Sequence, residues 1–178
     1  MARRETAARR YADAAFEIGK ADGTLEAWER SIAILRDTLG DEELRRLVKH
    51  PAVPYAEKEQ VLRKVVQGVT PEALSLALLM IRRGRPGAID AMADRFAELV
   101  RRERGISLAG IRTALPLDDE QRADIADRLR TLTGDRIEMN EVVDESLIGG
   151  LSVRIGDRLY DASVRSRLER LRARLTAV

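Results

Sequence analysis

The chain has 178 residues, 44% apolar and 35% charged, which is the composition of a folded protein and not of a disordered one. Aromatics are only 3%, so the core must be built from Leu, Ile, Val and Ala, which favours helices. A net charge of +2 with both signs abundant is no polyanion-binding signature. The lack of Cys rules out disulfides and thiolate sites, and no apolar run approaches the ~20 residues that span a bilayer.

The N-terminal MARRETAARRYADAAF is rich in Arg and Ala, like an organelle transit peptide, but such peptides are poor in acids and this one holds Glu5 and Asp13. The expectation is a mature, soluble, intracellular protein. From Thr6 to about Arg104 the pattern is helical. The first helix carries Tyr11, Ala12, Ala14, Ala15, Phe16 and Ile18 on more than one stripe, so it is buried on two sides or offers one side to a partner. Asp22-Gly23-Thr24 breaks it, and Thr24 is placed to cap a second helix, where Leu25, Trp28, Ile32, Leu35 and Leu39 make one core-facing stripe.

A short third helix with Leu44, Leu47 and Val48 stops at His50-Pro51. Pro54 suits the first turn of a fourth, whose apolar face is Val61, Leu62, Val65 and Val66. Thr70-Pro71 opens a fifth with an N-cap and a first-turn proline. Its centre, Ala73 to Ile81, is apolar nearly all round, as in a helix central to a bundle or partly given to docking. Gly84-Arg85-Pro86-Gly87 breaks the chain before a sixth helix with Ile89, Met92, Phe96, Leu99 and Val100. Short polar connections predict an antiparallel bundle.

After Gly105 the period changes. Ile106, Leu108, Ile111 and Thr113 read as a strand, bulged at Ala109-Gly110. Asp118 and Gln121 form a capping box for a helix with Ile125, Leu129 and Leu132 on one face. Ile137, Met139, Val142 and Val143 form a second strand, and the strand-helix-strand order predicts a right-handed parallel crossover. Gly149-Gly150 would let the chain kink or let another backbone approach. Leu151, Val153 and Ile155 alternate with polar residues, and Gly156-Asp157 is a two-residue hairpin turn placing Tyr160 opposite Val153 and Asp161 opposite Ser152. Leu159 then falls on the more polar face. From Ser163 on, Val164, Leu168, Leu171, Leu175 and Val178 form a helical stripe expected to cover the sheet, with Arg165, Arg167, Arg170, Arg172 and Arg174 around it.

The fold class expected is mainly α with a smaller α/β part. Residues 1–104 form a six-helix bundle, and residues 105–178 form a small mixed β-sheet domain with two helices. Candidate chemistry is sparse. His50 is the sole histidine and lacks the partners of a metal site or triad, and the acidic run Asp118-Asp119-Glu120 opens a helix, where carboxylates favour the positive dipole end. No Gly-rich phosphate loop precedes a Lys-Ser/Thr pair, so no nucleotide or other cofactor is expected. The alternative function is a helical adaptor binding nucleic acid through the Arg-Gly-Arg-Pro segment within Arg82–Gly87 and the Arg-rich last helix. A helix turn and a solvated face explain both.

The segments RRYADAAFEIGKADG, the HPAV break, IRTALPLDDEQ and above all EVVDESLIGGLSVRIGDRLYDASVRSRLERL together resemble the delta subunit of the F-type ATP synthase, the oligomycin-sensitivity-conferring protein family. The resemblance spans the whole chain, and its most specific part is Asp-x-x-Leu-Ile-Gly-Gly, then Gly-Asp, then Asp-x-Ser. It implies a non-catalytic stator subunit whose bundle binds the N-terminal segment of subunit alpha and whose C-terminal domain holds the C-terminal end of subunit b, keeping the catalytic head from turning with the shaft. It implies no nucleic-acid partner and no cofactor. It also implies a place on the cytoplasmic face of the bacterial cell membrane, with membrane association only through the complex. On this chain the alpha-binding groove of the first and fifth helices is assigned to Ala14, Ile18, Ala77 and Ile81. The stalk-binding domain and its hairpin are assigned to Gly149, Gly150, Gly156, Asp161, Leu168 and Leu171. Val53 departs from the family's usual polar cap before the fourth helix.

Overall fold

The computed structural model describes residues 2–176, with side chains from Thr6 to Ala173, so Leu175 and Val178 of the expected last stripe, and Arg174 beside it, lie outside the described side chains. The chain divides into two compact units, residues 1–100 and 101–178. The division falls within the last turn of the sixth helix.

The first unit contains α1 (Ala2–Ala21), α2 (Leu25–Gly40), α3 (Glu42–Lys49), α4 (Tyr55–Val65), α5 (Pro71–Arg82), a 3-10 turn (Pro86–Ala88) and α6 (Ile89–Glu103). Trp28, Ile32, Leu35 and Leu39 recur every three or four residues, so they share one side of α2, and all are buried. Across the core the Trp28 and Phe96 rings lie 6.4 Å apart, and Leu62, Met80, Ile89, Met92 and Val100 fill the space between helices. Gly19 lets α1 and α2 close up: a Cβ there would stand 2.8 Å from Cδ1 of Trp28. The Asp41 carboxylate accepts from Leu44 N at 2.9 Å and starts α3. Thr70 Oγ1 accepts from Ala73 N, Pro71 occupies the first turn, and the buried Ser31 hydroxyl accepts from Thr70 N at 3.0 Å, anchoring the head of α5 to α2.

Three local expectations in this unit are corrected. Thr24 occupies the cap position of α2 but makes no side-chain cap bond, its backbone being turned out of the extended region that a cap needs. Pro54, expected in the first turn of α4, is its N-cap, and Val53 precedes it. Val65 is exposed, while Val66, just past the helix end, turns into the core.

The second unit contains β1 (Ile106–Thr113), α7 (Asp119–Thr133), β2 (Arg136–Val143), a 3-10 turn (Glu145–Leu147), β3 (Leu151–Ile155), β4 (Arg158–Asp161) and α8 (Val164–Thr176). The sheet order is β2-β1-β3-β4, with β1 and β2 parallel and the remaining pairs antiparallel. Gln121 N donates to the Asp118 carboxylate at 2.7 Å and Asp118 N to Gln121 Oε1 at 3.2 Å, the expected capping box. Glu141 on β2 receives Leu117 N at 2.8 Å and Arg122 Nε at 3.0 Å, tying the head of α7 to the sheet. The hairpin has the expected register, Val153 opposite Tyr160 and Ser152 opposite Asp161, and leaves Leu159 exposed.

Here too the structure corrects the sequence. β1 pairs with β2 without interruption from Ile106 to Thr113, so there is no bulge at Ala109-Gly110. With period-2 alternation kept throughout, the buried face of β1 is Ala109, Ile111 and Thr113, and Leu108 points the other way and is exposed. Leu132, Val142 and Val143 are exposed as well. The last helix does not cover the sheet with its stripe: Val164 is exposed, and so are Leu168 and Leu171 at 54% each.

Candidate interaction surfaces

The first surface lies on the bundle. Glu72, Ser75, Leu76 and Leu79 recur at i, i+3, i+4 and i+7 on α5, and with Ala14 and Ile18 of α1 they line a groove of about 430 Å³. Ile18 is 46% exposed and Leu79 41%, while the small Ala14 leaves room for a close approach. Two of the four residues assigned from the sequence are therefore here. The other two are not: Ala77 is 1% and Ile81 6% exposed, inside the core. α5 is apolar on nearly every side, so its spacing did not say which side packs inward. The apolar residues of α5 that line the groove are the half-buried Leu76 and the exposed Leu79.

The second surface is built around Gly149 and Gly150. Ala162 N donates to Leu151 O at 3.0 Å and Val164 N to Gly149 O at 2.9 Å, so the chain leaving β4 runs tightly along the glycine pair. At Gly150 φ is +76°, and a Cβ would stand 2.7 Å from Ala162 O and 3.1 Å from Ser163 Cα. Of the two uses foreseen for the pair, close backbone approach is the one observed at Gly150. Gly156 takes its place in the tight turn between Ile155 and Arg158, with φ +55°. The Asp161 carboxylate accepts from Ser163 N at 2.9 Å, and the buried Ser163 caps α8 by accepting from Ser166 N at 3.2 Å. These bonds fix where α8 starts. Beyond them the helix offers Leu168 and Leu171 to solvent.

Beside this junction lies a groove of about 670 Å³ that the sequence did not reveal. Thr113, Leu115, Leu129, Leu132, Ile148 and Tyr160 are among the residues lining it. Ile148 has φ +65°, a conformation that costs a β-branched residue of order 1–3 kcal/mol, yet its side chain is 72% exposed. Asp144 holds the turn before it, accepting from Ser146 N at 3.0 Å and Ser146 Oγ at 2.6 Å. Thr113 is 2% exposed, and its hydroxyl has no hydrogen-bond partner, a burial that costs about 1–3 kcal/mol. No periodicity announces a strained residue or an orphaned hydroxyl, because both depend on what lies nearby in space.

Three carboxylates of this unit sit below the usual carboxylate range. Asp161 is lowered chiefly by the Ser163 backbone bond, Asp144 by the Ser146 hydroxyl, and Glu141 by the Leu117 backbone bond. A lowered carboxylate stabilises the fold fully above its unfolded value of about 4 and loses that contribution as pH falls through the folded value. Titration followed by NMR should therefore show the Ser163 and Leu117 amides shifting with midpoints below those of the same carboxylates in the unfolded chain, as the second unit loses stability. Midpoints at or above the unfolded ones would contradict these bonds.

Elsewhere the chemistry is plain. His50 Nδ1 accepts from Ala52 N at 3.3 Å, as a turn residue does. The Arg-Gly-Arg-Pro segment connects α5 to the 3-10 turn, and the Arg82 guanidinium rests 5.9 Å from the centre of the Tyr55 ring. Among the described residues no group of three or more His, Cys, Asp or Glu is placed to hold a metal, and no helix is long and apolar enough to cross a membrane.

A helical bundle and a small mixed sheet, each with an uncovered apolar helix face, define the class: a two-unit protein, mainly α with a smaller α/β part. The family model for the ATP synthase delta (OSCP) subunit matches residues 7–175. The ATP synthase subunit delta of Salinibacter ruber is 38% identical over 173 residues, covering 96% of this chain and 90% of that protein. That of Natranaerobius thermophilus is 33% identical over 168 residues, covering 94% of each. Among solved structures, a chain in the cryo-EM structure of the Toxoplasma gondii mitochondrial ATP synthase hexamer superposes with a TM-score of 0.71 at 27% identity, covering 96% of this chain and 98% of that one. The chain belongs to the ATP synthase delta (OSCP) subunit family, and is a non-catalytic structural component of that complex. These findings lend no support to the nucleic-acid alternative.

Proposed function

We propose that this chain is a stator link: the bundle seats the N-terminal segment of subunit alpha, and the C-terminal unit holds the end of subunit b. The head is thereby kept from following the rotor during ATP synthesis, at the cytoplasmic face of a bacterial membrane. The observation that carries this reading is the pair of uncovered apolar helix faces, one in each unit: Ile18 with Leu79 on the bundle, and Leu168 with Leu171 on α8. An amphipathic helix laid in a groove needs such a face, with anchors three or four residues apart. A stator must resist torque without chemistry, so two docking surfaces suffice. The test is affinity purification of the tagged chain from solubilised membranes. Alpha and b should both copurify. Leu79→Asp should lose alpha and keep b, and Leu168→Asp should lose b and keep alpha. Retention of both partners by both variants would refute the assignment.

A further inference from the structure

We infer that the open face of the four-stranded sheet holds a binding site for a small organic anion, a carboxylate on a short apolar body, seated over Gly110. α7 packs on the other face, where Leu129 joins Ala109, Ile111 and Val153 in one core. The site is separate from the groove beside Ile148 and from the uncovered stripe of α8.

Gly110 lines a hollow of about 430 Å³ on this face. In the strand pairing it lies between Asn140 of β2 and Arg154 of β3, and Arg112, next along the same face, lies between Val142 and Ser152. Nothing in the fold asks for glycine at this place. Gly110 is not among the glycines of positive φ, and a Cβ there would meet nothing nearer than the Arg154 carbonyl oxygen at 3.9 Å, an ordinary contact. Glycine inside a strand weakens it, and where neither backbone angle nor packing requires it, it keeps space for something that approaches closely. The walls of that space are donors without partners. Ser152 is only 7% exposed, and among the described residues neither its hydroxyl, nor the Asn140 side-chain amide, nor the Arg154 guanidinium has a hydrogen bond or ion pair. Unlike the Thr113 hydroxyl, that of Ser152 is not sealed from the solvent. An acceptor placed in the hollow satisfies all three at once.

The charges choose among acceptors. The planar fork of an arginine matches a carboxylate or a phosphate. Arg112 already reaches Asp144 at 3.4 Å, and Asp161, which also lines the hollow, accepts from Ser163 N at 2.9 Å. Two arginines thus face two carboxylates, so the hollow is close to neutral. A dianion is disfavoured beside Asp161, whereas a monoanion gains the unpaired Arg154. Val142, Leu147 and Leu159 complete the lining, with Val142 and Leu159 more than half exposed. They offer apolar contact that inorganic phosphate cannot use and a short hydrocarbon chain can.

The experiment titrates the full-length chain with pentanoate at neutral pH, followed by NMR. The Gly110, Ser152 and Arg154 amides should shift and saturate together, with a Kd on the order of millimolar. Acetate, which lacks the apolar body, inorganic phosphate, and pentylamine, which reverses the charge, should each bind at least about fivefold more weakly. Arg154→Leu should weaken pentanoate about tenfold or more and leave the melting temperature unchanged, because this guanidinium has no partner to lose. Arg158→Leu, at an exposed position outside the hollow, should bind as wild type. Gly110→Ala should melt at or above the wild-type temperature, and Gly110→Val, which fills the floor with a strand-favouring side chain, should weaken binding about tenfold or more. Shifts that do not saturate, or pentanoate binding kept by both Arg154→Leu and Gly110→Val, would overturn the site. Tighter binding of phosphate or equal binding of acetate would overturn the ligand class. A lower melting temperature for Gly110→Ala would show that the glycine serves the fold and not a ligand. Should Gly110→Val fail to fold, Arg154→Leu decides alone.

Discussion

Gly150→Val is expected to unfold or misdock the end of the second unit, to abolish binding of subunit b and to leave the bundle's hold on alpha intact. The reasons are additive. Val is strained at φ +76°, and its Cβ would stand 2.7 Å from the Ala162 carbonyl and 3.1 Å from Ser163 Cα, atoms of the backbone and not of a flexible side chain. Either the glycine turn or the path from β4 into α8 must move, with a loss of about 3 kcal/mol or more. The bonds Ala162 N to Leu151 O and Val164 N to Gly149 O are the first to break, and with them the fixed start of α8. Gly149→Ala provides the contrast, since its Cβ would meet only the Val164 side chain, 3.1 Å away at Cγ2, which can rotate. Its cost should stay below about 1 kcal/mol. Trp28 fluorescence reports the bundle, and the Ile111 amide reports the sheet. If Gly150→Val melts like wild type by the second probe and still binds b, the close approach is not what holds this junction.

Ile18→Asp and Leu79→Asp are expected to weaken binding of a peptide copying the N-terminus of alpha about thirtyfold each, ~2 kcal/mol, while the bundle melts as wild type. Both side chains already lie in water in the free chain, so a carboxylate there costs the fold little. In the complex it would be buried unpaired. Ile81→Asp should behave differently: it puts a charge in the core and should unfold the bundle whether or not a partner is present. Calorimetric titration and thermal melting separate the two cases. Unchanged affinity in both exposed-site variants moves the alpha site elsewhere.

Much of this architecture is written in local pattern. Among the described residues, the eight α-helices and four strands follow from signals a few residues long: Thr70-Pro71 at the head of α5, the Asp118/Gln121 box, the Gly156-Asp157 turn, and the switch of period after Gly105. The hairpin register follows from turn length alone, since a two-residue loop leaves one pairing for Val153 and Tyr160. Family membership is legible as well, because the spacing of Asp144, Gly149-Gly150, Gly156-Asp157 and Asp161 is an ordered set.

Tertiary structure alone decided which side of an element faces outward and what meets across sequence-distant positions. α5 reads as apolar all round, so only its neighbours could show that Ala77 and Ile81 go in and Leu76 and Leu79 line the groove. The stripe of α8 reads as a core-facing helix, but a periodic stripe is the same whether it packs on its own sheet or is left for another chain, and Leu168 and Leu171 are left open. The bulge read at Ala109-Gly110 came from taking Leu108 and Ile111 to share a face; eight continuous pairs with β2 put them on opposite faces. The orphaned Thr113 hydroxyl and the strained Ile148 are invisible to periodicity. One depends on the lack of any partner atom within reach, the other on a backbone angle set by the turn at Asp144 and the glycine pair that follows. Local chemistry determined the elements and their order. Long-range packing decided which apolar surface the chain keeps for its own core and which it leaves exposed.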